Sequence, residues 1–183
     1  MIIFDTETTG LPGPSSLPLN KQPKIIEYCF IKIDNKSLKE IGRISGLLDP
    51  QQPLEEVITK ITGLTNADLK GQPTFGDVYE DIQSFFQGES AWAAHNLAFD
   101  RSLMNFELKR IEKEGQFNWP YQEICTVQAS YHIKGRRMKM SELYSHLTGG
   151  GTFKDAHRAE ADTEALAHCV REMIEKGDIV LKA

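Results

Sequence analysis

The ten residues Met1-Ile2-Ile3-Phe4-Asp5-Thr6-Glu7-Thr8-Thr9-Gly10 constrain the fold of this chain more than any other stretch. Four apolar residues, two of them β-branched, run directly into an acid and stop at a Thr-Thr-Gly turn, the pattern of a short, mostly buried strand. Strand side chains alternate faces, so Ile3, Asp5 and Glu7 share one side that begins in a core and ends in two carboxylates. An ionised carboxylate at the margin of an apolar core is costly unless paired or liganded, and no basic residue lies in the stretch. Two readings fit: a bound divalent cation supplies the missing charge, or the acids lie beyond the strand end in water.

The 183 residues, 40% of them hydrophobic, suffice for one large core, so a single domain over residues 1–183 is expected. No run of eighteen apolar residues and no basic leader with an apolar core is present, which points to a cytoplasmic protein without a membrane partner. Cys29, Cys125 and Cys169 are widely spaced and form no CxxC pair, as expected of reduced thiols. The formal net charge of -5 gives no general attraction to phosphate backbones, so a nucleic-acid partner would need local patches or metal ions.

Residues 11–23 hold four of the eight prolines and read as a loop hanging from the acidic strand end. Residues 24–33 and 38–48 read as strands joined by an Asp34-Asn35-Lys36 turn, so at least one antiparallel pair is expected. A short helix is expected over residues 53–60, closed by Gly63, and a longer one from the N-cap Thr74 to Gly88. Residues 91–94 form a small-residue strand, with Trp92 in the core, before a helix starting near Phe99. In that helix Leu103, Met104, Leu108 and Ile111 follow Asp100 by three, four, eight and eleven residues, so the acid heads the buried stripe. A brief strand over residues 124–127 leads to a helix towards Ile133. The only concentrated basic cluster, residues 134–139, follows, then a short helix capped by Ser141 and the break at residues 149–151. In the last helix, 158–176, Asp162 precedes Ala165, Leu166, Cys169, Val170 and Met173 by three, four, seven, eight and eleven, and so heads a second stripe.

Three elements therefore bring carboxylates to the margin of one core. An acid in a first helical turn gains about 0.3–1 kcal/mol from the helix dipole, less than the desolvation cost of a half-buried charge, so a shared cation is expected. Hard oxygen donors without clustered His or Cys suit Mg²⁺, with Mn²⁺ as a substitute; two such ions about 3.5–4 Å apart are the usual device for in-line phosphoryl chemistry. His157 lies five residues before Asp162, which a continuous helix would rotate about 140° away. It reads as a loop residue swinging over the acids, where an imidazole can take a proton from water at neutral pH, or as a surface histidine.

The segments Phe4-Asp5-Thr6-Glu7-Thr8-Thr9-Gly10, His95-Asn96-Leu97-Ala98-Phe99-Asp100 and His157-Arg158-Ala159-Glu160-Ala161-Asp162 resemble, in order, the three motifs of the DnaQ-like, DEDDh 3′→5′ exonuclease family. The resemblance spans nearly the whole chain. It implies a ribonuclease H-like α/β fold, a five-stranded mixed sheet flanked by helices with the second strand antiparallel. It also implies that Asp5, Glu7 and Asp162 hold the catalytic metal, Asp5 and Asp100 a second one, and that His157 is the general base. By the same resemblance Thr8, Thr9 and Gly10 meet the terminal nucleotide, Ile61 to Leu64 wedge against the last base, and Asn96 and Phe99 face the scissile nucleotide. Thr62 stands where many relatives carry histidine, which puts a 3′-end hydrogen bond in doubt. Plain turn chemistry for the threonines and a core place for Phe99 remain open. Arg136 and Arg137 either hold the strand's phosphates or belong to a solvated loop. His95 reads as structural.

The expected activity is metal-dependent 3′→5′ hydrolysis of phosphodiester bonds in single-stranded or frayed DNA, releasing nucleoside 5′-monophosphates. RNA ends are the rival substrate, since the reaction does not need the 2′-hydroxyl. A proofreading subunit bound to a polymerase is a further reading; the end of the chain at Ala183, soon after the last helix, favours a free-standing enzyme or a small proofreading domain.

Overall fold

The apolar alternation at the N-terminus becomes β1 (Ile2–Thr8), the middle strand of a five-stranded sheet in a computed structural model that describes residues 1–182. Ala183, the end of the expected domain, lies outside the described residues. Among the described residues the sheet runs β3-β2-β1-β4-β5, with β2 (Ile25–Ile33), β3 (Glu40–Leu47), β4 (Ala91–Ala94) and β5 (Gln122–Cys125). β1 pairs antiparallel with β2 and parallel with β4, β2 pairs antiparallel with β3, and β4 pairs parallel with β5. This is the mixed five-stranded sheet that the resemblance implied. The helices are α1 (Glu56–Thr62), α2 (Asn66–Leu69), α3 (Phe75–Phe86), α4 (Leu97–Arg110), α5 (Thr126–Ala129), α6 (Tyr131–Lys134), α7 (Met140–Leu147) and α8 (Ala159–Glu175).

The period of two in β1 divides the core. Met1 and Ile3 join Cys29, Ile31, Ala93 and Ile124 beneath α7 and α8, which contribute Leu143, Leu166, Cys169, Val170 and Met173. Ile2 and Phe4 join Tyr28, Phe30, Trp92 and Ala94 on the opposite face, beneath α3 and α4. A sheet buried on both faces explains why β1 and β2 read as nearly unbroken apolar runs. Trp92 is fully buried, as expected.

Several boundaries differ from the expected ones. The helix expected over 53–60 begins only at Glu56, because the Leu54 N–H is drawn to the Asn66 side chain at 2.8 Å, but it ends as expected at Gly63, whose φ of 75° closes the turn. The helix expected near Phe99 starts two residues earlier, since Asn96 takes a left-handed φ of 72° and turns the chain sharply out of β4. Ser141 is not the cap of α7. Lys139 holds that position, and its N–H donates to the Glu142 carboxylate at 3.1 Å. The helix expected after β5 is broken into α5 and α6 at Ser130. No helix among the described residues is long and apolar enough to cross a membrane.

The Phe4 ring stacks on Trp92 at 5.3 Å with an interplanar angle of 11° and lies 5.4 Å from Phe30. Phe4→Ala should therefore lower the free energy of unfolding by about 3–5 kcal/mol in urea titrations. Val57→Ala, at a side chain 51% exposed, should change it by less than about 0.5 kcal/mol.

Candidate active site

Two layers of helices deliver acids to one end of β1. Asp5 and Glu7 point from β1 to the α8 side, and the β1–β2 register slips between Glu7 and Thr8, a bulge that re-aims the strand end. Asp162 comes from the start of α8, where its carboxylate accepts the His157 backbone N–H at 2.7 Å. Asp100 comes from the other layer, in the first turn of α4; it is 1% exposed, and Thr6 on the even face of β1 donates its hydroxyl to it at 2.8 Å. His157 lies on the exposed loop before α8 with φ 69°, and one ligand atom each of Glu7, His157 and Asp162 lie within 4.8 Å of one another. The acids of both strand and helices, named from sequence, are brought together, and His157 joins them from the loop side.

The acids are electrostatically unhappy without a counter-ion. Burial, then repulsion from Asp100, Asp162, Glu7 and Glu27, pushes the Asp5 carboxyl well above the usual range. Glu7 is pushed up to about 8, first by burial and then by Asp162, Glu27 and Asp100, with only Arg158 acting the other way. Asp100 is pushed up to about 7 by burial despite the Thr6 hydrogen bond, and burial raises Asp162 as well. Arg158, whose charge lowers Glu7, is committed to Glu27 at 2.8 Å. Clustered carboxylate oxygens with one imidazole beside them fit a divalent cation such as Mg²⁺ or Mn²⁺.

The acidic pocket, about 170 Å³ and lined by Asp5, Glu7, His95, His157 and Asp162 among others, shares Thr6 and Glu7 with a larger cleft of about 820 Å³. The cleft runs along Thr8, Thr9, Gly10 and Leu11, between the loop at residues 20–23 and the α1 side chains of Val57, Ile58 and Ile61, with Phe99 in its wall. Both threonine hydroxyls are occupied locally: Thr8 donates to the Gly10 carbonyl at 2.7 Å, and Thr9 accepts the Lys24 N–H at 3.0 Å. Open space surrounds the Gly10 Cα on its side-chain side. Ile61, 48% exposed, faces the cleft, but Leu64 does not reach it. The left-handed turn at Gly63 directs Leu64 inward onto Ile26 and Leu69, where it is 3% exposed, so its expected place against a base is corrected to a core position. Asn96 accepts from Arg137 at 2.8 Å, whereas Arg136 is held by Glu142 at 2.6 Å. His95 bridges Thr126 and the Met138 carbonyl, as a structural histidine would.

Sequence reasoning missed Glu27, Leu11 and Val57. An acid inside the run Ile-Ile-Glu-Tyr-Cys-Phe was a usable signal for Glu27; only the pairing of β1 with β2 reveals that it faces Glu7. Val57 and Ile61, four residues apart, signal an apolar helix face, yet nothing local tells that this face is left open.

A family model described as exonuclease, RNase_T, matches residues 2–170. The epsilon subunit of DNA polymerase III from Treponema pallidum is 30% identical over 171 residues, covering 93% of this chain and 74% of that protein. The PolC-type DNA polymerase III of Halalkalibacterium halodurans is 29% identical over 181 residues, but the chain spans 11% of its length. Among solved structures, exonuclease X in complex with 5′-overhanging duplex DNA superimposes with a TM-score of 0.66 at 23% identity, covering 96% of this chain and 92% of that one. The nuclease domain of 3′hExo, described as a DEDDh family member bound to rAMP, gives 0.76 at 14% identity, covering 100% and 95%. The fold is ribonuclease H-like.

A carboxyl whose folded value is raised keeps its proton in the folded state after the unfolded chain has lost it, so stability falls as pH rises between the two values. For Glu7 that window runs from 4.5 to about 8. In chelator, the melting temperature should fall as pH is raised from about 5 to about 8, and Mn²⁺ should restore it at the upper end far more than at the lower. A melting temperature equally insensitive to pH and to Mn²⁺ would contradict this account of the cluster.

Proposed function

The chain belongs to the RNase T-type exonuclease family, and from that premise we propose that it is a metal-dependent 3′→5′ exonuclease, releasing nucleoside 5′-monophosphates from single-stranded or frayed DNA. The observation that carries the reading is the convergence of Asp5, Glu7, Asp100 and Asp162 beside an open cleft, with His157 over them and the one guanidinium that lowers Glu7, Arg158, bound to Glu27. Asp5, Glu7 and Asp162 would hold one Mg²⁺ or Mn²⁺, and Asp5 with Asp100 a second. Two such ions, when bound, stabilise the charge that develops on the phosphate and on the departing oxygen.

The chain's own groups supply the rest. The 3′ end of the nucleic-acid strand lies along Thr8 to Gly10, which line the cleft, and its last bases meet the apolar surface of Val57, Ile61 and Phe99. Stacking against such a surface is sequence-tolerant and worth roughly 1–3 kcal/mol per base when the partner is aromatic. His157 takes the proton of the attacking water as its oxygen bonds to phosphorus; the bond to the 3′-oxygen of the next nucleotide breaks, and that oxygen takes up a proton from solvent. The loop position of His157 leaves the imidazole free to hand its proton to water between turnovers.

The kinship to a polymerase III epsilon subunit supports a proofreading role with a polymerase as partner, in the cytoplasm. Trimming of RNA ends is the second reading, supported by the likeness to a nuclease domain bound to rAMP. End-labelled DNA and RNA oligonucleotides of one sequence, with Mg²⁺, Mn²⁺ or chelator, separate these substrates. Asp162→Ala should abolish release of mononucleotides and weaken binding of divalent ions. His157→Ala should lower kcat by about 10²–10⁴ while ion binding persists. Full activity in Asp162→Ala would overturn the assignment of the site.

A further inference from the structure

β2 carries one buried acid among its apolar neighbours. Glu27 is 7% exposed, and its Cα lies opposite that of Glu7. Carboxylates facing one another across an antiparallel pair repel. The start of α8 answers this charge. Arg158 directs Nε at 3.2 and 3.0 Å and Nη2 at 2.8 Å to the two Glu27 oxygens, and the Ala159 backbone N–H adds a fourth contact at 3.0 Å. Arg158 is the N-cap of α8, directly after His157 and four residues before Asp162. One carboxylate of the sheet thus grips both the side chain of the helix-cap residue and the first N–H of the helix.

Resting on the exonuclease reading above, we propose that Glu27 and Arg158 form a positioning pair for the site. The pair anchors the start of α8, and with it His157 and Asp162, against β1; it also cancels within itself the charge that either partner alone would add beside the acids. Neither residue lines the acidic pocket. The two effects have different signatures. Loss of either partner loosens His157, so both losses slow hydrolysis. The charges act oppositely: without Glu27 the freed guanidinium competes with a divalent ion for the acids, whereas without Arg158 an extra anion remains. A purely structural clamp would weaken ion binding in both cases.

Titration calorimetry of Mn²⁺ into the full chain reads the charge, and end-labelled oligonucleotides read kcat. Glu27→Gln should weaken Mn²⁺ binding by about tenfold. Arg158→Met should leave it unchanged or tighter, and the double variant Glu27→Gln/Arg158→Met, with the net charge of the native pair, should return it to within about twofold of the native value. All three should lose about tenfold or more in kcat. Mn²⁺ binding that moves the same way in both single variants, or that does not move in Glu27→Gln, overturns the proposal. Should one single variant fail to fold, the other compared with the double variant reads the same charge term. A native chain that binds no Mn²⁺ and cleaves nothing overturns the exonuclease reading instead; native binding with an unmoved Glu27→Gln overturns the pair alone.

Discussion

The burial of four carboxylates at the end of one strand, without a full counter-charge, is the constraint around which the rest of this molecule is arranged. Asp5, Glu7, Asp100 and Asp162 all have carboxyls held above the normal range, with burial the largest cause for each. A cluster of this kind is a stored demand for positive charge. The protein meets little of that demand itself: Thr6 offers a hydroxyl to Asp100 and the His157 backbone an N–H to Asp162, neither of which carries a full charge. The unmet remainder is what makes the pocket a candidate cation site.

Such a cluster survives folding because the framework beneath it is stiff. The aromatic stack of Phe4, Trp92, Phe30 and Phe86 locks one face of β1, and the packing of Leu166, Val170 and Met173 locks the other. Asp5 and Glu7 then occupy the end of this strand, where the antiparallel pairing with β2 slips and the pairing with β4 has already ended. Parallel strands ending at a point where the sheet changes direction leave a crevice, and here the crevice opens onto the cleft wall formed by α1.

The other wall, the loop at residues 20–23, is held from a distance. Arg110, at the end of α4, donates Nη2 to the carbonyls of Leu19, Gln22 and Pro23 at 3.1, 2.8 and 3.0 Å, and pairs through Nη1 with the buried Glu107 at 2.9 Å. Glu107 in turn accepts the Ile25 N–H at 2.9 Å, so the proline-rich loop re-enters β2 at a defined place. The helix that carries Asp100 at its beginning therefore shapes the opposite side of the cleft with its end, and acidic pocket and cleft share one element.

Local pattern alone determined a great deal here. The alternation in β1, the stripes headed by Asp100 and Asp162, the capping box at Thr74 and the glycine stop at Gly63 are each written within a few residues, because strand and helix periodicity act over that distance. The acids were legible for the same reason, since a charge at the head of an apolar stripe is anomalous wherever the chain goes next. Tertiary structure decided what depends on contacts between distant segments. Leu64 turned inward because Ile26 and Leu69 provide a pocket for it, Arg136 went to Glu142, and Glu27 came beside the acids only through its place opposite Glu7. These outcomes rest on strand register and on which helix face is covered, quantities set by the packing of the whole chain and carried by no short stretch of it.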